Sequence, residues 1–273
     1  MNSIARHIDQ TLESDQQGEL RNHLGASIIG RTCKRQLWYM FRWYSRPRFE
    51  GRMLRLFERG NLEESRFVKY LQKLGAIVHD TDANSRQFRV VALNEHFGGS
   101  LDAIARKIPT LERETWIVCE FKTHNDKSFK RLKASKVRIA KKEHWSQMQI
   151  YMHLTGLRTA LYLAVNKNDD ELYDELVQYD PFEAEQLLEK AQEIIASPRP
   201  LRRISDSPAY FDCKYCDFAR ICHGNAKPLQ TCRSCVHSRP VELGQWQCTL
   251  WNAIIPADVA PVGCDRYEPI PDE

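Results

Sequence analysis

Ser100-Leu101-Asp102-Ala103 and, further along, Cys119-Glu120-Phe121-Lys122-Thr123 are the stretches on which the reading of this chain turns. The segments around them, Gly99 to Lys107 and Glu114 to Thr123, are rich in Val, Ile, Phe and Trp, and a similar segment, Phe88 to Leu93, precedes them. Asn94, Gly98, Gly99 and a turn at Pro109 separate the three, which is the pattern of antiparallel strands. If the last two pair as a hairpin, Asp102 comes near Glu120, and the two-residue period of a strand puts Glu120 and Lys122 on one face. A Glu-x-Lys triplet alone is equally the mark of a surface charge pair. Here Val118, Cys119 and Phe121 make the strand read as buried, and a buried glutamate needs a partner or a metal. Two hard carboxylates suit Mg²⁺ or Mn²⁺, and a lysine beside them can orient or deprotonate a water that attacks phosphorus.

Outward from this core the pattern alternates. Ile4, Ile8 and Leu12 recur at helical spacing, with Ser3 placed to cap them. Helices are expected over Ser27–Tyr44, ending before Pro47, and over Arg52–Leu74, with Leu54, Phe57, Leu62, Phe67, Leu71 and Leu74 as its apolar face and Gly75 at its end. After the strands come a helix at Lys141–Leu154, strands at Thr159–Val165 and Leu172–Tyr179, and a helix that Asp180 and Pro181 start and that runs to Ala196. This order predicts an α/β fold, one mixed central sheet flanked by helices.

The chain has 273 residues, 42% hydrophobic and 28% charged, enough for a large domain with a small appendage. Its longest apolar run, Ala160 to Val165, is far short of the roughly 20 residues a bilayer span needs, and Met1 to Gln10 lacks the apolar core of a signal peptide. No membrane association and a cytoplasmic location are expected. The net charge of +4 hides a run of eight basic residues with no acid: Lys127, Lys130, Arg131, Lys133, Lys136, Arg138, Lys141 and Lys142. Such a run is either a solvated face or loop, or a footprint for phosphates with Phe129 and Trp145 nearby for base stacking.

Beyond Pro198 and Pro200 the composition shifts, and seven of the nine cysteines fall between Cys213 and Cys264 with little hydrophobic periodicity. Reducing compartments disfavour disulfides, so metal is the expected source of order there. Cys213-x2-Cys216-x5-Cys222 supplies three soft ligands. Cys232-x2-Cys235 with Cys248 and Cys264 has the spacing of a zinc-ribbon-like knuckle, His237 being a competing ligand. Arg233, Arg239, Trp246 and Trp251 lie close to it in sequence, so this small C-terminal cysteine-rich zinc module either touches nucleic acid or a protein partner, or is a structural lid. Cys119 reads as a small buried hydrophobe.

Asp102 with Glu120-Phe121-Lys122 resembles the Asp then Glu-x-Lys signature of the PD-(D/E)XK nuclease superfamily, and two further elements resemble its RecB-like branch. Gly60-Asn61-Leu62-Glu63-Glu64 is similar to a Gly-x-x-x-Glu helix element, and Gln147-Met148-Gln149-Ile150-Tyr151 to a Gln-x-x-x-Tyr helix. The sequence departs from many members in having Asn61 where they carry a histidine metal ligand. The resemblance implies a restriction-endonuclease-like fold with Glu64, Asp102, Glu120 and the Phe121 carbonyl around Mg²⁺ or Mn²⁺, and Lys122 positioning water. Gln147 and Tyr151 would then contact DNA or orient the active-site groups. Cys33-Lys34-Arg35-Gln36-Leu37-Trp38-Tyr39 resembles the Cys-x-Arg-x-x-x-Tyr helix of AddB subunits and CRISPR-associated exonucleases. That likeness implies a [4Fe-4S] cluster on Cys33, Cys213, Cys216 and Cys222, zinc being the alternative for four cysteines. His79, His96 and His144 read as ordinary polar or core histidines, His144 being the one nearest a motif.

The resulting division is an N-terminal helix at 1–26, a nuclease domain with its iron–sulfur cluster at 27–226, and the zinc module at 227–273. The expected activity is metal-dependent exonuclease action on linear DNA, single strands first, in recombination, repair or phage DNA processing. A structure-selective endonuclease and a catalytically silent DNA-binding scaffold are the alternatives.

Overall fold

The computed structural model describes residues 3–16, 18, 20–109, 111 and 114–272. Met1 and Asn2 of the N-terminal stretch read above lie outside them. In chain order the elements are α1 (Ile4–Asp15), β1 (Leu24–Gly25), α2 (Lys34–Phe41), α3 (Gly51–Lys73), β2 (Ile77–His79), β3 (Arg89–Ala92), β4 (Phe97–Ser100), β5 (Ala103–Arg106), β6 (Ile117–His124), α4 (Asp126–Ala140) and α5 (Lys142–Thr155). They continue with β7 (Thr159–Asn166), β8 (Leu172–Gln178), α6 (Pro181–Ala196), the single turns α7 (Phe211–Lys214) and α8 (Ala219–Cys222), β9 (Ser238–Pro240), β10 (Trp246–Cys248) and β11 (Ala253–Ile254). Two compact units result, one of residues 1–17, 48–90 and 99–187, the other of 18–47, 91–98 and 188–273.

The first unit is built on a five-stranded sheet in the order β2-β5-β6-β7-β8. β5 pairs antiparallel with β6, β6 parallel with β7, and β7 antiparallel with β8. β6 is therefore paired on both sides, which is why it is buried almost throughout. Its odd residues Ile117, Cys119 and Phe121 join Phe67, Val68 and Leu71 of α3, Val78, Ala103, Leu161 and Val165 in one apolar cluster. α4 and α5 also pack on β6 and β7. A helix buried on all sides must be apolar or internally satisfied all round, and α5 buries every residue from Trp145 to Met152.

Local chemistry fixes the ends of these elements. α3 stops in a Schellman arrangement, with Gly75 N donating to Gln72 O and Ala76 N to Leu71 O while Gly75 takes a φ of 88° that glycine alone adopts without cost. Asp180 Oδ1 accepts from Glu183 N, capping α6 as read from the sequence. Ser3 occupies the position before α1, yet its side chain makes no capping bond.

Other expectations are corrected. The helix expected at Ser27–Tyr44 is confined to Lys34–Phe41, because Gly30 and the extended backbone of Cys33 interrupt it, and Cys33 is its N-cap, its Sγ accepting from Gln36 N. The segment Gly99–Lys107 is divided between β4 and β5: Leu101 N turns to Phe88 O, leaving Asp102 between the strands. Of the expected apolar face of α3, Phe67 and Leu71 are buried while Phe57, Leu62 and Leu74 are exposed. The short strands β2 and β9 to β11 had no clear sequence signal.

In the second unit, β1 pairs parallel with β4 at Leu24↔Phe97 and Gly25↔Gly98. β9, β10 and β11 form an antiparallel sheet. α2 buries Arg35, Leu37, Trp38, Tyr39 and Phe41. Arg42, at its end, donates to the carbonyls of Arg233, Ser238 and Ser197.

Phe67 is 1% exposed and lies against Phe121, with ring centroids 5.2 Å apart. Phe67→Ala is expected to cost about 3–5 kcal/mol in urea unfolding, while Leu62→Ala, on the open side of the same helix, stays within about 0.5 kcal/mol of wild type.

Candidate active site

Register does the first work of assembly. Ala103 opposes Cys119 across the β5–β6 ladder, so Asp102, one residue before β5, stands beside Glu120 and Phe121. Asp102 Oδ2 accepts from Phe121 N at 2.7 Å and lies 3.5 Å from Lys122 Nζ. Lys122 forms an ion pair with Glu120 and also donates to the Phe121 carbonyl at 3.0 Å. Glu120 has no exposed surface, and its Oε2 has no hydrogen-bond partner among the described residues.

Burial dominates the electrostatics. It pushes the Glu120 carboxyl up to about 8, with Lys122 pulling down and Asp102 pushing further up. Glu64, on α3, is pushed up to about 7 by burial and then by the Asp102 charge, Lys122 opposing. For Lys122 burial acts downward, but Glu120 and Asp102 outweigh it and hold the ammonium charged.

Glu64 and Lys122 line one cleft with Gly60, Glu63, Phe67, Phe121, Thr123, His124, Lys141 and His144. Asn61 is exposed on α3 and does not line it. Glu63, which the sequence reading left without a role, pairs with Arg66 at 3.1 Å.

Gln147 and Tyr151 are buried, which separates the two roles their motif suggested. Gln147 Nε2 donates to Tyr151 Oη, and Tyr151 Oη donates to the Ser100 carbonyl at 2.7 Å. They hold the turn that carries Asp102. A Cβ on Gly99 would lie 2.6 Å from Tyr151 Oη, so this approach requires glycine.

The basic run is an exposed face of α4 and the residues after it, apart from half-buried Lys141. Several of its charges are already paired: Lys130 with Asp126, Lys133 with Glu171 and Arg138 with Asp180. Lys127, Arg131, Lys136 and Lys142 are exposed. Phe129 and Trp145 are not available for base stacking, because both are buried, Phe129 completely.

The eight cysteines outside β6 gather in two groups of four, both within the second unit. Cys33, Cys213, Cys216 and Cys222 line one pocket. Cys232, Cys235, Cys248 and Cys264 line another, with His237. All are free thiols. Burial raises the pKa of Cys213 and Cys216, and Cys33 and Cys222 add to it. Burial also pushes Cys232 up to about 11, followed by the charges of Cys264, Cys235 and Cys248. The thiols converge without closing: among the described residues no three or more His, Cys, Asp or Glu side chains are arranged to hold a metal ion as they stand. Cys119, by contrast, is buried in the sheet core. Two residues expected beside the second cysteine group as contact residues, Arg233 and Trp246, are buried, the guanidinium of Arg233 lying 3.7 Å from the centroid of Trp43 and 4.7 Å from that of Trp246. Trp251 is exposed.

Residues 31–223 match the PD-(D/E)XK nuclease superfamily. The chain belongs to that superfamily. Among solved structures, that of SSO0001 is 16% identical over 83% of this chain and 99% of its own, with a TM-score of 0.46. The alkaline exonuclease LHK-Exo from Laribacter hongkongensis is 15% identical over 70% of this chain and 91% of its own, with a TM-score of 0.43. Its complex with dAMP is 15% identical over 64% and 87%, with a TM-score of 0.45. No curated protein matches the chain in sequence. No described helix is long and apolar enough to cross a membrane.

Glu64, Asp102 and Glu120 are not gathered to hold an ion as they stand, but their oxygens are of the kind a hard divalent cation takes, and the orphaned Oε2 of Glu120 would gain a partner from one, since a buried oxygen without a partner costs stability. Tyr151→Phe is expected to destabilise the protein by about 1–3 kcal/mol in chemical unfolding, because it leaves the Ser100 carbonyl without its donor.

Proposed function

We propose that this chain is a metal-dependent DNA nuclease that hydrolyses phosphodiester bonds at DNA ends, single strands first. The observation that supports it is the pairing of buried Glu120 with Lys122 beside Asp102, Lys122 itself lining a cleft together with Glu64. Glu64, Asp102, Glu120 and the Phe121 carbonyl would hold Mg²⁺ or Mn²⁺. A bound cation of this kind acidifies water and neutralises charge on the phosphate oxygens. Lys122, held by two carboxylates and a carbonyl, keeps its ammonium directed at the ligand side of the cleft and orients the attacking water. Asp102 is fixed by the Phe121 amide, and Tyr151 and Gln147 keep its turn in place. Lys127, Lys130, Arg131, Lys133, Lys136, Arg138, Lys141 and Lys142 would engage the phosphate backbone, those without an acid partner contributing most.

In the same reading Cys33, Cys213, Cys216 and Cys222 carry a [4Fe-4S] cluster, and Cys232, Cys235, Cys248 and Cys264 carry Zn²⁺. Four thiols around one pocket form a donor set for a soft metal. Exposed Trp251 beside the second group offers a contact for a protein partner. Both centres would be structural, and the protein would work in the cytoplasm, in recombination, repair or phage DNA processing.

With Mn²⁺, anaerobically purified protein is expected to degrade end-labelled linear DNA and spare closed circles, and Lys122→Ala to lower the rate by about 10²–10⁴-fold. Cutting of circles would favour the structure-selective endonuclease, and cutting of neither would leave a DNA-binding scaffold. A separate measurement concerns the first cysteine group: the wild type is expected to be brown and to contain iron, and Cys216→Ser to lose both colour and iron. Zinc in place of iron in a colourless wild type would reverse that assignment.

A further inference from the structure

Three residues that the signature does not use line the cleft together with Glu64: His124, Lys141 and His144. They are joined by a continuous hydrogen-bonded chain. Lys141 Nζ lies 2.5 Å from Ser128 Oγ, Ser128 Oγ 3.2 Å from His124 Nδ1, His124 Nε2 2.8 Å from Tyr162 Oη, and Tyr162 Oη 2.9 Å from His144 Nδ1. Tyr162 is placed by the β6–β7 ladder, where it opposes Glu120.

The direction of this chain follows from what each group can donate. An ammonium only donates, so Ser128 Oγ accepts from Lys141 and has its own proton to give. Burial, followed for His124 by Lys141 and Lys122 and for His144 by Lys122 and His124, disfavours the charged form of both rings, so each carries one N–H. If Ser128 donates to His124 Nδ1, the N–H of His124 is on Nε2 and donates to Tyr162. Tyr162 then donates to His144 Nδ1, and the N–H of His144 must be on Nε2. The reverse direction leaves the Ser128 hydroxyl proton with no acceptor among the described residues. His144 Nε2 has no hydrogen-bond partner among them and is not a buried atom.

The geometry points to His144 as a substrate-binding residue, a neutral Nε2–H donor to a phosphate oxygen of the nucleic-acid strand, held in that tautomer by the chain Lys141–Ser128–His124–Tyr162. Lys141, which forms no ion pair among the described residues, adds positive charge on the same wall. The cleft then brings together two kinds of group: Glu64 and Lys122 for the bond that is cut, and nitrogen donors for a phosphate beside it. This assignment rests on the nuclease reading and adds to it a residue that binds the strand without taking part in bond cleavage.

Two measurements test it on the full-length protein. In ¹⁵N-histidine NMR, His144 is expected to show a protonated Nε2 and an unprotonated Nδ1, and Tyr162→Phe to convert it to a mixture. A wild-type His144 protonated on Nδ1 would overturn the proposal. In steady-state kinetics with Mn²⁺ and a single-stranded oligonucleotide, His144→Ala is expected to raise KM about tenfold while kcat changes little. His144→Gln, whose amide can still donate, should recover most of the loss, which a packing defect would not. If Lys122→Ala abolishes cutting but His144→Ala leaves KM unchanged, the nuclease reading stands and this inference falls. If the wild type neither cuts nor binds the oligonucleotide, both fall.

Discussion

The first unit is organised around a carboxylate with no access to water. Glu120 sits in the middle of β6, opposite Tyr162 of β7 and one residue past the last β5 pair, with no exposed surface, where an isolated charge would be untenable. Lys122 is the response built into the same strand: two residues on, it shares the face and reaches back to the carboxylate. A buried ion pair gains little net stability over apolar packing, because desolvation offsets most of the attraction. The sheet could have been filled more simply, so this pair adds chemistry to a core position. The raised pKa of both Glu64 and Glu120 has burial as its largest cause, complete for Glu120 and partial for Glu64.

Holding that arrangement requires precision from the chain beside it. Asp102 is not part of a regular strand. It sits in the gap between β4 and β5, where its carboxylate can take the Phe121 amide. A side chain in such a gap is only as fixed as its backbone, and the backbone is held by the Tyr151 hydroxyl on the Ser100 carbonyl. Gly99 allows that approach, and Gln147 orients the hydroxyl. Sequence spacing of Gln147 and Tyr151 on one helical turn thus becomes a brace for a residue some fifty positions earlier in the chain.

What the sequence revealed follows the range of the forces involved. Period-two alternation is local, so the shared face of Glu120 and Lys122 was legible, as were the β5–β6 pairing, the end of α3 at Gly75 and the cap at Asp180. The grouping of cysteines in fours was legible because spacings such as Cys-x2-Cys keep thiols close along the chain and therefore in space. Burial was harder. Phe129, Trp145, Arg233 and Trp246 look in sequence like basic and aromatic nucleic-acid surfaces, yet the aromatic rings are covered and Arg233 is buried against Trp43 and Trp246. Nothing in a one-dimensional pattern states which side of a charged helix a single phenylalanine takes. The chain through Ser128, His124, Tyr162 and His144 was invisible for a related reason: its members come from α4, α5, β6 and β7, and only the sheet register brings them together.

The second unit shows the opposite economy. Beyond Pro200 the buried hydrophobic residues among those described are Cys213, Phe218, Cys235, Trp246, Ala260 and Ile270, far too few to offset the entropy of ordering that length of chain. Two of the six are themselves thiols. Arg42 ties the region to α2 through two carbonyls, those of Ser238 and of Arg233, which lies between Cys232 and Cys235. Cys33 caps the other end of the same helix. One short helix therefore has a member of one cysteine group at its start and a bond into the loop of the other at its end. A segment with so little apolar core depends on the element it is tied to, and a rigid one holds it best. α2, with Leu37, Trp38, Tyr39 and Phe41 all buried, is such an element.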